Sequence, residues 1–250
     1  GVDIHKPKPW RGWPEVVKEI GTIVIGVLIA LGAEAGVEAM HWAERTQKTE
    51  AHLRAELANA TVAAQVHIAQ EPCEYAMLDR LQQVLLQPGD DWRPPFAIVG
   101  PDGVANAMLA APIGGFQQQG WKNAQADGTA NHLPQDQQMA FGEAYNLLAT
   151  AQAVGEDEHS LGSELNSLAW PRRLDPASRT DYLRLVARLR EDVRLMATSG
   201  RQILAQTKDV GVTPGKLEDY GPALGIYQGI CRQFQAGKSV IVIRPPAMGA

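Results

Sequence analysis

Two Glu-x-x-His pairs, Glu38–His41 and Glu156–His159, have the spacing in this chain that comes nearest to a metal-ligand set. On a helix, positions three apart share a face, and carboxylate-bridged di-metal bundles use such a pair twice, together with further inward-facing Glu residues. No second inward-facing Glu pair is evident. Glu156-Asp157-Glu158-His159 reads instead as a solvated acidic turn of a helix, so neither a metal nor a cofactor is expected. The chain lacks GxGxxG, a Walker loop, HExxH, GxSxG and CxxC. His52, His67 and His132 have no partner recognisable by spacing, and Ser160, Ser163 and Ser167 lack a nucleophile elbow or a local base. Surface polarity accounts for them, and no catalytic residue is expected.

The two cysteines, Cys73 and Cys231, are too far apart in sequence for a metal knuckle. Outside the cytoplasm the economical arrangement is one disulfide closing a long loop; two buried free thiols are the alternative.

These residues belong to a chain of 250 residues, 45% hydrophobic and 20% charged, with a net charge of -5. That balance excludes a disordered chain, a collagen-like repeat and a multi-span membrane protein. A mildly acidic domain also lacks the basic footprint that nucleic acid requires, so no nucleic-acid partner is expected.

The elements that carry the residues are best marked near the amino terminus, where residues 20–33 form an uncharged run between Glu19 and Glu34. Fourteen helical residues reach only ~21 Å against a hydrocarbon core of ~30 Å, so three readings compete. A cleaved signal peptide would use the basic n-region and Ala33-Glu34-Ala35 as its cleavage site, but the chain retains the segment. A buried core helix of a soluble protein has this length, yet Gly21, Gly26 and Gly32 disfavour a helix in water. A membrane anchor gains length from Val16 and Val17 on one side and Ala35 to Met40 on the other, with Lys18 snorkelling and Trp10, Trp13 and Trp42 at the interfaces. The anchor is the reading adopted. Lys6, Lys8, Arg11 and Lys18 before it, against Arg45, Lys48 and Arg54 after it, point the amino terminus to the cytoplasm and the bulk of the chain to the periplasm.

Glu34 and Glu38 are an i, i+4 pair at the far end of this span. They mark the headgroup boundary or face a partner helix. Gly32-x-x-x-Gly36 on an adjoining face would admit close helix approach, and Gly26 and Ala30 extend the small-residue surface. Gly26, Ala30, Gly32, Glu34, Gly36 and Glu38 are therefore the expected partner-helix interface.

No Gly or Pro interrupts residues 37–71, which predicts one long helix that leaves the membrane and continues into the soluble region until Glu71-Pro72 stops it, then a second over Glu74 to Gln87. Residues 88–132 are rich in turn signals, with short helices at Val104 to Ala110 and Trp121 to Asp127, and Phe96–Val99 pairing as a strand with Ser239–Ile243. A helix from Pro134 to about Trp170 and an amphipathic one capped by Asp175-Pro176 complete a hairpin packed on the long helix. Arg184, Arg188, Arg190, Arg194 and Arg201 on the latter are diluted by Asp181, Glu191 and Asp192, which reads as a solvated face. The expected fold is mainly α: a tail over 1–15, an anchor helix over 16–40 and a helical bundle over 41–250, with at most a small two-stranded β element.

The run Glu19 to Leu31, the charged helix ending in Leu53-Arg54-Ala55-Glu56-Leu57, and Trp121 to Gly128 followed by Ala144-Tyr145 together resemble uncharacterised bacterial single-pass, signal-anchored inner-membrane proteins. Members of this kind usually carry aromatic and polar residues after the anchor, where this chain has Glu34-Ala35-Gly36-Val37-Glu38. The resemblance implies an address and no activity.

The expected protein is thus a non-enzymatic accessory or scaffolding subunit. Its partners would be membrane lipid and other inner-membrane subunits, or a second copy through the anchor. A ligand-binding helical sensor, with Trp92 to Trp121 lining a pocket, is the alternative, and a metal-dependent enzyme using His159 the third reading.

Overall fold

The computed structural model describes residues 12–100, 102, 105–109 and 115–243. Among these the fold is mainly α. Helix α1 runs Trp13–Leu85, α2 Gln119–Ala126, α3 Gln135–Leu165, α4 Pro176–Asp209 and α5 Pro222–Gln235. The chain divides into two compact units at Lys48/Thr49.

Within residues 12–48 the structure is one exposed helix, and among the described residues it is the one long and apolar enough to cross a membrane. Ile20, Ile23, Val24, Ile25, Val27, Leu28, Ile29 and Leu31 are all about half exposed or more.

The unit from Thr49 onward is a bundle with two apolar centres. In one, Leu53, Leu57, Ala60 and Ala64 of α1 meet Phe141, Ala144, Tyr145, Leu148 and Ala151 of α3 and Met196 and Ile203 of α4. In the other, Cys73, Met77, Leu78, Leu81 and Leu85 of α1 meet Leu161 and Leu165 of α3, Val186, Leu189 and Val193 of α4, and Tyr227 and Ile230 of α5. The α4 stripe follows the expected helical spacing, and the expected cap is present: the Ser178 N–H donates to Asp175 Oδ1 at 2.8 Å, with Pro176 in the first turn. Gly200 lets α4 approach α1 closely, because a Cβ there would stand 3.0 Å from the Ala64 carbonyl oxygen.

Two expectations need correction. Pro72 does not stop the first helix, which continues through it to Leu85. Proline removes one backbone hydrogen bond and disfavours helix in the residue before it. Here buried Gln70, Cys73, Met77 and Leu78 hold both flanks in the bundle, and Arg201 of α4 pairs with Glu71 at 3.1 Å. Tertiary burial outweighs the local preference. The stretch expected as a helix over Val104 to Ala110 contains instead a strand, Ala105–Ala107, the other positions except Met108 and Leu109 lying outside the described residues. A short apolar run cannot distinguish the two by periodicity, and pairing decides.

The β content is small. Strands β1 (Asp91–Trp92) and β4 (Arg172–Arg173) pair antiparallel. Strands β2 (Ala97–Val99), β3 (Ala105–Ala107) and β5 (Val240–Val242) form a second sheet in the order β3-β2-β5. The expected pairing of 96–99 with 239–243 is its parallel β2–β5 ladder, Ala97↔Val240 to Val99↔Val242. Trp92 fastens the first sheet to the bundle, donating its indole N–H to the Leu168 carbonyl at 2.8 Å.

Candidate functional site

The buried ionisable groups of the bundle form its most unusual chemistry. Glu74 of α1 is 5% exposed and Glu158 of α3 is 3% exposed. Both line a small cavity with room for about one water molecule, walled by Leu78, Leu109, Gly162, Leu189 and Val193. Glu158 Oε2 completes no hydrogen bond, and the Tyr227 hydroxyl of α5 faces the Glu74 carboxyl. Burial, then the Glu158 charge, holds the Glu74 carboxyl well above the usual range, and Tyr227 beside it offsets this only in part. Burial and Asp192 push Glu158 up to about 7. Asp192 itself is raised to about 6 by burial and by Asp157. Apolar walls and mutually repelling acids favour the neutral, protonated forms. They suit a cation poorly, and among the described residues no group of three or more His, Cys, Asp or Glu is arranged to hold a metal.

Glu158 thus corrects the reading of residues 156–159 as a solvated turn. Glu156 is bonded at the surface, accepting from Gln152 Nε2 at 2.8 Å, whereas Glu158 points inward. A signal was present in the sequence. Glu158 lies seven residues after Ala151 and seven before Leu165, in phase with the apolar stripe of α3, and Glu74 stands four before Leu78 and seven before Leu81 on α1.

A third buried carboxylate lies at the other apolar centre. Glu56 Oε2 accepts from the Tyr145 hydroxyl at 3.0 Å and from the Gly120 N–H at 2.9 Å. Trp121 stacks on Tyr145 at 5.8 Å and on Phe141 at 6.2 Å. His67 is buried against Phe116, ring centroids 6.0 Å apart, and burial holds its imidazole down at about 4.

Cys73 and Cys231 form the disulfide, with Cα atoms 5.9 Å apart, joining α1 to α5 beside Glu74. Five of the six arginines of α4 meet a carboxylate: Arg184 with Asp181 at 2.8 Å, Arg188 with Asp157 at 3.1 Å, Arg190 with Asp79 at 2.6 Å, Arg201 with Glu71, and Arg194 with Glu191; the sixth, Arg179, donates to the backbone carbonyls of Val84, Leu85 and Asp91.

The expected interface residues Gly26, Ala30, Gly32, Glu34, Gly36 and Glu38 all lie exposed on α1, but they do not share one face. At about 100° per residue, Gly26, Ala30, Glu34 and Glu38 form one stripe, and Gly32 and Gly36 stand about 200° from Ala30 and Glu34, on the opposite side. A Cβ at Gly26, Gly32 or Gly36 would meet nothing within 4 Å. Trp13, 83% exposed, and Trp42, with the Arg45 guanidinium 5.3 Å from its ring centre, are separated by about 44 Å of helix, matching the ~40–45 Å of a bilayer with its headgroups. Lys18 is exposed one turn after the start, and Trp10 lies outside the described residues.

No protein family, curated protein or solved structure matches the chain.

Proposed function

We propose that this protein is a single-pass, membrane-anchored accessory subunit without catalysis of its own, its amino terminus cytoplasmic and its disulfide-bonded bundle periplasmic. The observation that carries the reading is the helical stretch over residues 16–40, whose apolar side chains are exposed on every face with none of its most apolar window buried. Such a surface needs lipid or protein around it. The Trp13–Trp42 spacing supports a full crossing, and the disulfide supports an oxidising compartment.

The stripe Gly26–Ala30–Glu34–Glu38 faces a protein partner in this reading, since acids near the hydrocarbon edge favour protein or water over lipid. Gly32 and Gly36 then face lipid or a second helix. Photo-crosslinking in intact membranes tests it. A crosslinker at Ala30 captures a larger membrane protein, and one at Gly32 captures less. Release of the chain from membranes by alkaline carbonate, or a monomer without any crosslinked partner at either position, overturns the proposal.

A further inference from the structure

The outer face of α5 and the edge strand β5 enclose a groove of about 360 Å³, lined by Gly225, Ile226, Gly229, Arg232, Gln233, Ala236, Lys238 and Val242. That size falls in the range of small-molecule sites. Its walls are built deliberately. Positions 225, 229, 232 and 233 follow one face of α5, and the Gln233 side chain ties that face to β5, donating to the Val242 carbonyl at 2.9 Å and accepting from its N–H at 3.1 Å. This amide fills the hydrogen-bonding positions that Val242 turns away from β2, so the strand edge is closed there and the groove, not the edge, is what stays open.

Two features of the groove have no internal explanation. Gly225 and Gly229 lie inside a helix, where glycine is less favourable than alanine. Neither is required by packing: a Cβ at Gly225 would meet nothing within 4 Å, and at Gly229 only the Arg232 guanidinium at 4.0 Å. What the missing side chains leave is an open floor. Beside that floor, Arg232 and Lys238 meet no carboxylate among the described residues, in contrast to five of the six arginines of α4.

We infer that this groove binds a small organic carboxylate with a short aliphatic tail, its head between Arg232 and Lys238 and its tail on the glycine floor against Ile226 and Val242. Arg232 supplies a planar fork suited to a carboxylate, Lys238 adds a second charge, and the glycines give the tail its contact surface. The site is separate from the anchor and goes beyond the anchoring role.

Hexanoate is the probe, titrated into the full chain in nanodiscs and followed by ligand-observed NMR. Wild type shows saturable binding, while hexylamine, with the opposite charge, and acetate, without the tail, bind at least tenfold more weakly. Arg232→Gln/Lys238→Gln weakens hexanoate at least tenfold by removing the charges. Gly225→Leu/Gly229→Leu does the same by filling the floor, and both substitutions favour the helix, so loss of folding does not mimic the result. Absence of saturable hexanoate binding to wild type, or unchanged binding in either double variant, overturns the inference.

Discussion

The Tyr145 hydroxyl donates to Glu56 Oε2 at 3.0 Å, and the same oxygen takes the Gly120 N–H at 2.9 Å, so one buried carboxylate joins α1, α3 and α2. Tyr145→Phe removes one buried hydrogen bond and leaves Glu56 Oε2 with the Gly120 N–H alone, a loss of about 1–2 kcal/mol of stability. Gly120→Ala acts differently, because its Cβ would lie 2.2 Å from Glu56 Oε2 and would push the carboxylate out of the contact. Chemical denaturation followed by Trp121 fluorescence reads both, since Trp121 stacks on Tyr145. A Gly120→Ala variant as stable as wild type would contradict the arrangement.

The disulfide closes a loop with a sequence separation of 158 residues. On the chain-entropy model, opening it destabilises the bundle by about 5 kcal/mol. Adding reductant therefore lowers the denaturation midpoint sharply, and Cys73→Ala/Cys231→Ala reproduces the shift without reductant. An unchanged midpoint in the double variant would show that the bundle does not depend on the bridge.

Much of this architecture is legible in the residues, for physical reasons that differ from place to place. The start of α4 is local chemistry, since Asp175 and Pro176 carry cap and first turn themselves. The cysteine pair is legible because only two cysteines exist. Pro72 misleads because its effect on the backbone is local, whereas the burial that overrides it comes from residues far away in sequence. The buried acids carry the weakest sequence signal. Glu158 stands between Asp157 and His159 in a stretch that is polar throughout, and only its phase against Ala151 and Leu165 separates it from the solvated neighbours. The groove on α5 has the same character: Gly225 and Gly229 become informative only once the space around them is known to be empty.

Glu158 gives the bundle a signed response to alkali. Its carboxyl is raised from 4.5 to about 7 by burial and by Asp192, so the folded state holds the proton more tightly than the unfolded state. Below pH 4.5 both states are protonated and nothing is lost. As pH rises from 4.5 to 7 the unfolded state ionises first and stability falls, by about 3 kcal/mol at most, then levels off. Glu74, raised in the same direction, extends the decline further. Glu158→Gln keeps the shape and removes the titration, so it stabilises the bundle at pH 8 and changes it little at pH 4.5. Equal effects at the two pH values would show that Glu158 is ionised in the fold.

His67 opposes this trend from the acid side. Burial depresses its imidazole from 6.5 to about 4, so above pH 6.5 both states are neutral and the full stability is present. As pH falls from 6.5 to 4 the unfolded state takes up the proton first, and stability declines by about 3 kcal/mol. Between pH 4.5 and 6.5 the two groups therefore pull in opposite directions: alkali penalises Glu158 while acid penalises His67. Glu74, held well above its usual range, and Asp192, raised to about 6, add to the Glu158 side, so wild-type stability falls as pH rises through that window and His67 offsets only part of the fall. In His67→Phe, which keeps a ring beside Phe116, stability falls more steeply from pH 4.5 to 6.5 than in wild type, and in Glu158→Gln it falls less steeply over the same range. Denaturation midpoints of the two single variants across this window should diverge to either side of the wild-type curve, and a variant whose curve runs parallel to wild type would show that the side chain it removes is not buried as described.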